Sequence, residues 1–223
     1  MCSPAPQEYM RTHWAMRRLA SLLSQRGFHV LRFDYSCTGD SAGESRDAAL
    51  ADWRRDIGLA TAELKDMSGV NHVSVVGLRL GATLAAQATA EGVVVRDLVL
   101  WEPVVKGDEY VEGLMAVGTR KFARLLYHAR AAADELVGFP FPEKLARDTR
   151  AVDMLAGQPK AKRTVLVASE ERPEHAQLIE RLTAAGLAAK RAEVRDEASG
   201  SMPEATLLST AALQTIVRSL EEP

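Results

Sequence analysis

Cysteine is nearly absent from this chain: 223 residues contain two, Cys2 and Cys37. A single distant pair gives neither a disulfide framework nor the Cys-x-x-Cys spacing of a metal or redox site. Histidine is almost as sparse, with five (His13, His29, His72, His128 and His175) and no His-x-x-x-His pair. A zinc site therefore has no support, and no metal or other cofactor is expected. Neither sign of charge dominates. Lys and Arg number 28 against 30 Asp and Glu, a formal net charge of −2, which leaves no global basic field for nucleic acid or an anionic membrane. The short basic runs at 54–55 and 160–163 have acids around them, and the second reads as a solvated approach to a strand. No apolar run approaches the roughly 20 residues that cross a bilayer, and the first residues lack the regions of a secretory signal. The expectation is a cytoplasmic protein with no membrane or nucleic-acid partner.

What remains is ordinary globular composition, 47% hydrophobic and 26% charged, in a length that suits one domain with a sizeable core. Residues 8–26 carry apolar side chains at helical spacing, and Gly27 stops that helix. FHVLRF at 28–33 alternates as a strand, and the Ser-, Gly- and Asp-rich stretch 35–44 reads as a loop. A second amphipathic helix is expected over 48–66. HVSVV at 72–76 is a β-branched strand that runs into Gly77-Leu78-Arg79-Leu80-Gly81, followed by a small-residue helix over 82–90. Further strands are expected at 96–101, 163–168 and 190–194, with helices over 110–137, 174–185 and 204–221. The 104–160 region reads as a small helical cap-like insertion, with Phe139-Pro140-Phe141-Pro142 at its turn. Strands separated by helices of ten or more residues imply a mostly parallel sheet with helices on both faces. Ligands of such sheets bind outside the strands' carboxyl ends, here at loops 3–9, 34–44, 77–81, 102–109, 168–174 and 195–203.

A strand, Gly-x-x-x-Gly and a small-residue helix together form the pattern of a nucleophile elbow, a tight turn that presents its central side chain above the sheet. The central residue is Arg79. The loop DYSCTGDSAG at 34–43 resembles the Asp-x-x-Gly-x-Gly-x-Ser loop of α/β hydrolases of the serine aminopeptidase S33 type. QEYMRTHWA, FHVLRFDY, VVGLRLGATLA and LVLWEPVVKG together resemble bacterial S33-like proteins found with exosortase and natural-product biosynthesis genes, over residues 3–220. Some members of that branch also carry arginine at the elbow. The resemblance implies an α/β-hydrolase fold whose earliest strands are missing, because only six residues precede the first helix and one absent strand should lie between 28–33 and 72–76. A sheet so truncated would have a weak centre and an exposed edge. A homodimer is therefore a candidate assembly.

Acyl transfer in this fold needs a nucleophile, a histidine base and an orienting carboxylate. Arginine stays protonated at any usable pH and cannot attack a carbonyl. The loop expected to supply the base, 195–203, reads RDEASGSMP, and no histidine follows His175. The acid position could be filled by Glu170 or Glu171, but without a base it has no triad role. The sequence therefore points to a catalytically degenerate homologue that binds a small anionic or acyl ligand as an accessory protein in a bacterial pathway. Arg79, Glu8, Glu102 and Cys37 are the candidate ligand-binding residues. Glu8, in the loop before the first helix, and Glu102 are the expected partners of a cation at the pocket floor. The alternative is an active hydrolase or acyltransferase using Cys37, a better nucleophile than serine as thiolate, with His13 the nearest plausible base. Ser36 and Ser41 on the same loop are expected to brace the turn.

Overall fold

The computed structural model describes residues 1–125, 134–194 and 210–222. Four parallel strands form the sheet: β1 (Val75–Leu78), β2 (Val95–Trp101), β5 (Ala161–Ala168) and β6 (Ala189–Glu193), adjacent in that order. Strand alternation divides the side chains between two faces. Val76, Leu78, Val99, Trp101, Val165 and Val167 pack on one face against α1 (Pro6–Gln25) and α7 (Thr210–Glu221). Val75, Leu98, Leu100 and Leu166 pack on the other, against α2 (Leu50–Ser68), α3 (Leu80–Ala90) and α6 (Pro173–Ala184). Both faces are covered by helices, which is why the central strands read as continuous apolar runs. Trp101, at the end of β2, is buried in the core.

Between β2 and β5 the chain forms α4 (Gly107–Leu125), a two-residue hairpin of β3 (Glu135–Leu136) with β4 (Phe139–Pro140), and α5 (Glu143–Arg150). Of the expected single helix over 110–137, the structure describes α4 up to Leu125, residues 126–133 lie outside the described residues, and 135–136 are strand rather than helix. The Phe-Pro-Phe-Pro stretch supplies β4 and then Pro142 at the N-cap position of α5. All of the expected loop 195–203 and the first third of the expected helix 204–221 lie outside the described residues.

Two expectations are corrected. Residues 28–33 form no strand, although their alternation is genuine: they carry no ladder, while Leu31 C=O accepts from the Met1 amino group at 2.7 Å and Phe28 N–H donates to Leu23 O at 3.1 Å. Residues 1–2 stand between this segment and β1. Cys2 N–H donates to Val76 O (2.8 Å) and Leu78 N–H donates to Cys2 O (3.1 Å), a parallel bridge opposite Gly77. A groove of about 210 Å³ lies beside this segment, with a lining that includes Leu23, Phe28, Ile57 and Val75. A strand needs a neighbour for its backbone groups, and residues 28–33 are in no ladder among the described residues. Arg163, expected in a solvated run, instead donates to Asp97 (2.9 Å) and to Ser219 O (2.8 Å), tying β5 to β2 and to α7.

Candidate functional site

The turn between β1 and α3 has the geometry that its glycines predicted. Arg79 adopts φ 54° and ψ −123°, a backbone conformation costly for a side-chain-bearing residue. Its N–H donates to Trp101 O at 2.9 Å, and its carbonyl accepts from Ala82 N–H at 3.0 Å. Gly77 permits the helix to cross close behind the strand: a Cβ there would lie 2.4 Å from Ala82 Cα. Gly81 faces residues 2–3 just as closely. Leu80 through Ala86 are buried, so the small-residue helix is anchored on the sheet and holds the turn.

The Arg79 side chain rises into the site and meets Glu8. Glu8 is in the first turn of α1, not in the loop ahead of it, because Pro6 already begins the helix. Arg79 Nε donates to Glu8 Oε1 at 3.0 Å, and Tyr110 OH from α4 donates to Glu8 Oε2 at 2.6 Å. The guanidinium carbon lies 5.4 Å from the centre of the Tyr110 ring, within cation–π range. Arg79 Nη1 reaches the Glu102 carbonyl at 3.5 Å. Burial opposes charge on Arg79, but Glu8, Tyr110 and Glu102 outweigh it and raise its pKa above the usual value. Burial and the Glu8 carboxylate push the Tyr110 phenol well up, so it stays a donor.

Glu102 is near but turned away. It sits at φ 47° just after β2, with its N–H on Val167 O, and its Oε1 accepts from Ser169 N–H (2.5 Å) and Ser169 Oγ (2.6 Å). Its Oε2 has no partner among the described residues, and neither ring nitrogen of His175 has one. Both residues are 1% exposed. Burial lowers the His175 pKa from its ordinary 6.5, with Glu102 acting in the opposite direction. The unfolded chain therefore binds a proton here as pH falls through about 6.5 while the fold resists it. This contribution to stability is complete above that pH and is lost below it. Melting temperatures measured from about pH 7 to about pH 5 are expected to fall less steeply in His175→Gln than in the wild type; equal slopes would contradict this.

Cys37 lies apart from Arg79. It lines a separate cavity of about 300 Å³ with Trp53, Phe139 and Leu145. Its thiol pKa is raised by burial and by the carboxylates of Asp47, Asp56 and Glu44, which opposes thiolate formation. His13 is exposed on α1 with Nδ1 at 3.2 Å from Met10 O, and lines neither cavity. Ser36 donates from N–H and Oγ to Asp56, and Ser41 Oγ to Asp34 O, so both brace their loop as expected. Glu170 and Glu171 point to solvent and pair with Arg172 and Arg191. Tyr110 is the site residue that the sequence did not single out: nothing in a helical stretch marks one residue as the cap on a carboxylate 102 positions earlier.

The Arg79–Glu8 pair does not close the site. Above it opens a cavity of about 670 Å³ with walls that include Trp14, Val104, Leu114 and Val117. That volume falls within the usual range of small-molecule pockets, and apolar walls around a few polar groups are their usual chemistry. Among the described residues no cluster of His, Cys, Asp and Glu could hold a metal ion, and no helix is long and apolar enough to cross a membrane.

Solved structures similar in fold include the following three. A proposed hydrolase from Agrobacterium vitis S4 matches with TM-score 0.61 and 22% identity, over 93% of this chain and 80% of that one. The Pyrococcus furiosus esterase matches with TM-score 0.61 and 18% identity, over 86% and 69%. A carboxylesterase of the thaumarchaeon Nitrososphaera gargenis matches with TM-score 0.57 and 11% identity, over 99% and 88%. No curated protein matches the sequence. The sequence model described as the alpha/beta hydrolase family matches residues 4–216. With the parallel sheet, the strained elbow and a pocket at the strands' carboxyl ends, the chain belongs to the alpha/beta hydrolase family.

Proposed function

We propose that this chain is a non-hydrolytic member of its family, which uses the pocket above the elbow to bind a small ligand. The observation that carries the reading is Arg79 itself: the turn that presents a nucleophile is kept, strain included, yet the side chain presented is a cation held by Glu8. A pocket of about 670 Å³ still open above the pair supports binding over simple closure of the site. The S33-like resemblance, in the branch associated with exosortase and natural-product genes, suggests an accessory role in a bacterial biosynthetic pathway and a cytoplasmic location.

Two covalent probes test the reading. A fluorophosphonate should leave the intact mass unchanged, because no serine among the described residues is hydrogen-bonded to a histidine. Iodoacetamide at neutral pH should label Cys37 no faster than a free thiol peptide. Stoichiometric fluorophosphonate labelling, or labelling of Cys37 much faster than the peptide, would restore the hydrolase or acyltransferase reading.

A further inference from the structure

An arginine at the floor of a pocket suggests an anionic ligand, but the charges around this one do not favour an anion. Arg79 spends its Nε on Glu8, and the Glu102 carboxylate lies close enough to reinforce its charge from behind. Around the cavity, Lys106 is held by Asp153 at 2.6 Å and Arg172 by Glu170 at 3.7 Å. The lining adds Arg11 on the basic side and Glu109 and Glu174 on the acidic side. The lining itself carries four cations and three carboxylates, and Glu102, Asp153 and Glu170, which stand behind the cations, bring the carboxylates to six. A ligand carboxylate would give up its hydration to enter a cavity whose one deep cation is already neutralised, which is unfavourable. What the floor offers is hydrogen-bond donation without net positive charge. Nη1 makes a contact of 3.5 Å to the Glu102 carbonyl, and Nη2 makes none to a described residue. A carbonyl oxygen can accept from these N–H groups, with an apolar chain laid along Val104, Leu114 and Val117.

We propose that Glu8 sets the ligand class of this pocket: by occupying Arg79 it reserves the site for an uncharged acyl compound, with an amide or ester carbonyl on the guanidinium, and excludes the free carboxylate. The proposal rests on the binding reading above. It makes Glu8 a selectivity residue as well as a structural partner, and of the anionic and acyl ligands that the sequence left open it selects the acyl one.

Octanamide and octanoate share a chain and differ in charge, and Trp14, half exposed at the pocket wall, gives a fluorescence signal, since Trp53 and Trp101 are buried. At about pH 8, where a carboxylic acid is ionised, wild-type protein should bind octanamide at least about tenfold more tightly than octanoate. In Glu8→Gln, whose amide oxygen can still accept from Arg79, octanoate should gain at least about tenfold. Octanoate binding the wild type as tightly as octanamide overturns the proposal while leaving a binding pocket in place. A Glu8→Gln preference unchanged from wild type, in a variant whose circular dichroism is intact, also overturns it. If neither compound binds either protein, the binding reading fails, and this proposal with it.

Discussion

Gly81→Ala is expected to destabilise the protein by about 3 kcal/mol, a fall in melting temperature of about 6–12 °C at this chain length. A Cβ on Gly81 would lie 2.2 Å from Ser3 O and 2.5 Å from Cys2 O. Both are backbone atoms and cannot rotate aside. Residues 2–3 are also fixed in turn, because Cys2 is bridged to β1 through Val76 O and Leu78 N–H. Relief therefore requires α3 to move off the sheet or the bridge to break, and either change displaces the elbow. Gly113→Ala is the control. No atom lies within 4 Å of a Cβ there, it is exposed on α4, and alanine in a helix should be neutral or stabilising by up to about 1 kcal/mol. Thermal denaturation of the two variants checks the account; a Gly81→Ala protein that melts with the wild type would mean that the elbow is not held against residues 2–3.

Glu8→Ala should cost about 2–3 kcal/mol, or about 5–10 °C. Removing one member of a fully buried ion pair costs about 3–5 kcal/mol, and the discount reflects side chains that are 17% and 19% exposed. The loss has two parts. Arg79 keeps its charge but has lost its carboxylate, and the buried Tyr110 hydroxyl has lost its acceptor. Replacing the whole pair should behave differently, since apolar side chains of similar volume remove the desolvation penalty together with the attraction. Glu8→Leu/Arg79→Met is therefore expected to cost less than Glu8→Ala, about 1–2 kcal/mol, the remainder being the Tyr110 hydroxyl, which lacks its acceptor in both. Urea denaturation of Glu8→Leu, Arg79→Met and the double variant closes the cycle. Losses that simply add would show that the two side chains are not coupled.

The elbow was legible because its requirements are local. A β-branched run, glycines flanking one residue by two on each side and a small-residue helix specify a turn whatever its central residue. The helices on the sheet were legible through their apolar stripes: Trp53 and Ile57 on α2, and Met16, Leu19 and Leu23 on α1, are buried. The 28–33 segment shows the limit of periodicity, which reports which faces are apolar but not whether a neighbouring strand is present. Arg163 shows the same limit for charge, since a basic run says nothing of an aspartate 66 residues away. At the site, Glu8 could be named as a partner because fold analogy brings its loop beside the elbow strand. Tyr110 could not, because its place depends on how α4 packs across the pocket. The compensation of Arg79 by carboxylates from several elements is likewise a property of the assembled site.

The central claim is that the catalytic unit has been lost as a whole, with the cation at the elbow put to another use. Hydrolysis of p-nitrophenyl butyrate by wild type and by Arg79→Ser tests this most directly, because the variant returns a serine to an intact elbow without supplying a base. The sole described histidine near the site, His175, is buried and unpaired and does not line the pocket. Both proteins should hydrolyse the ester no faster than the same concentration of denatured chain. Saturable turnover by the wild type, or turnover in Arg79→Ser more than about tenfold above that background, would contradict the account.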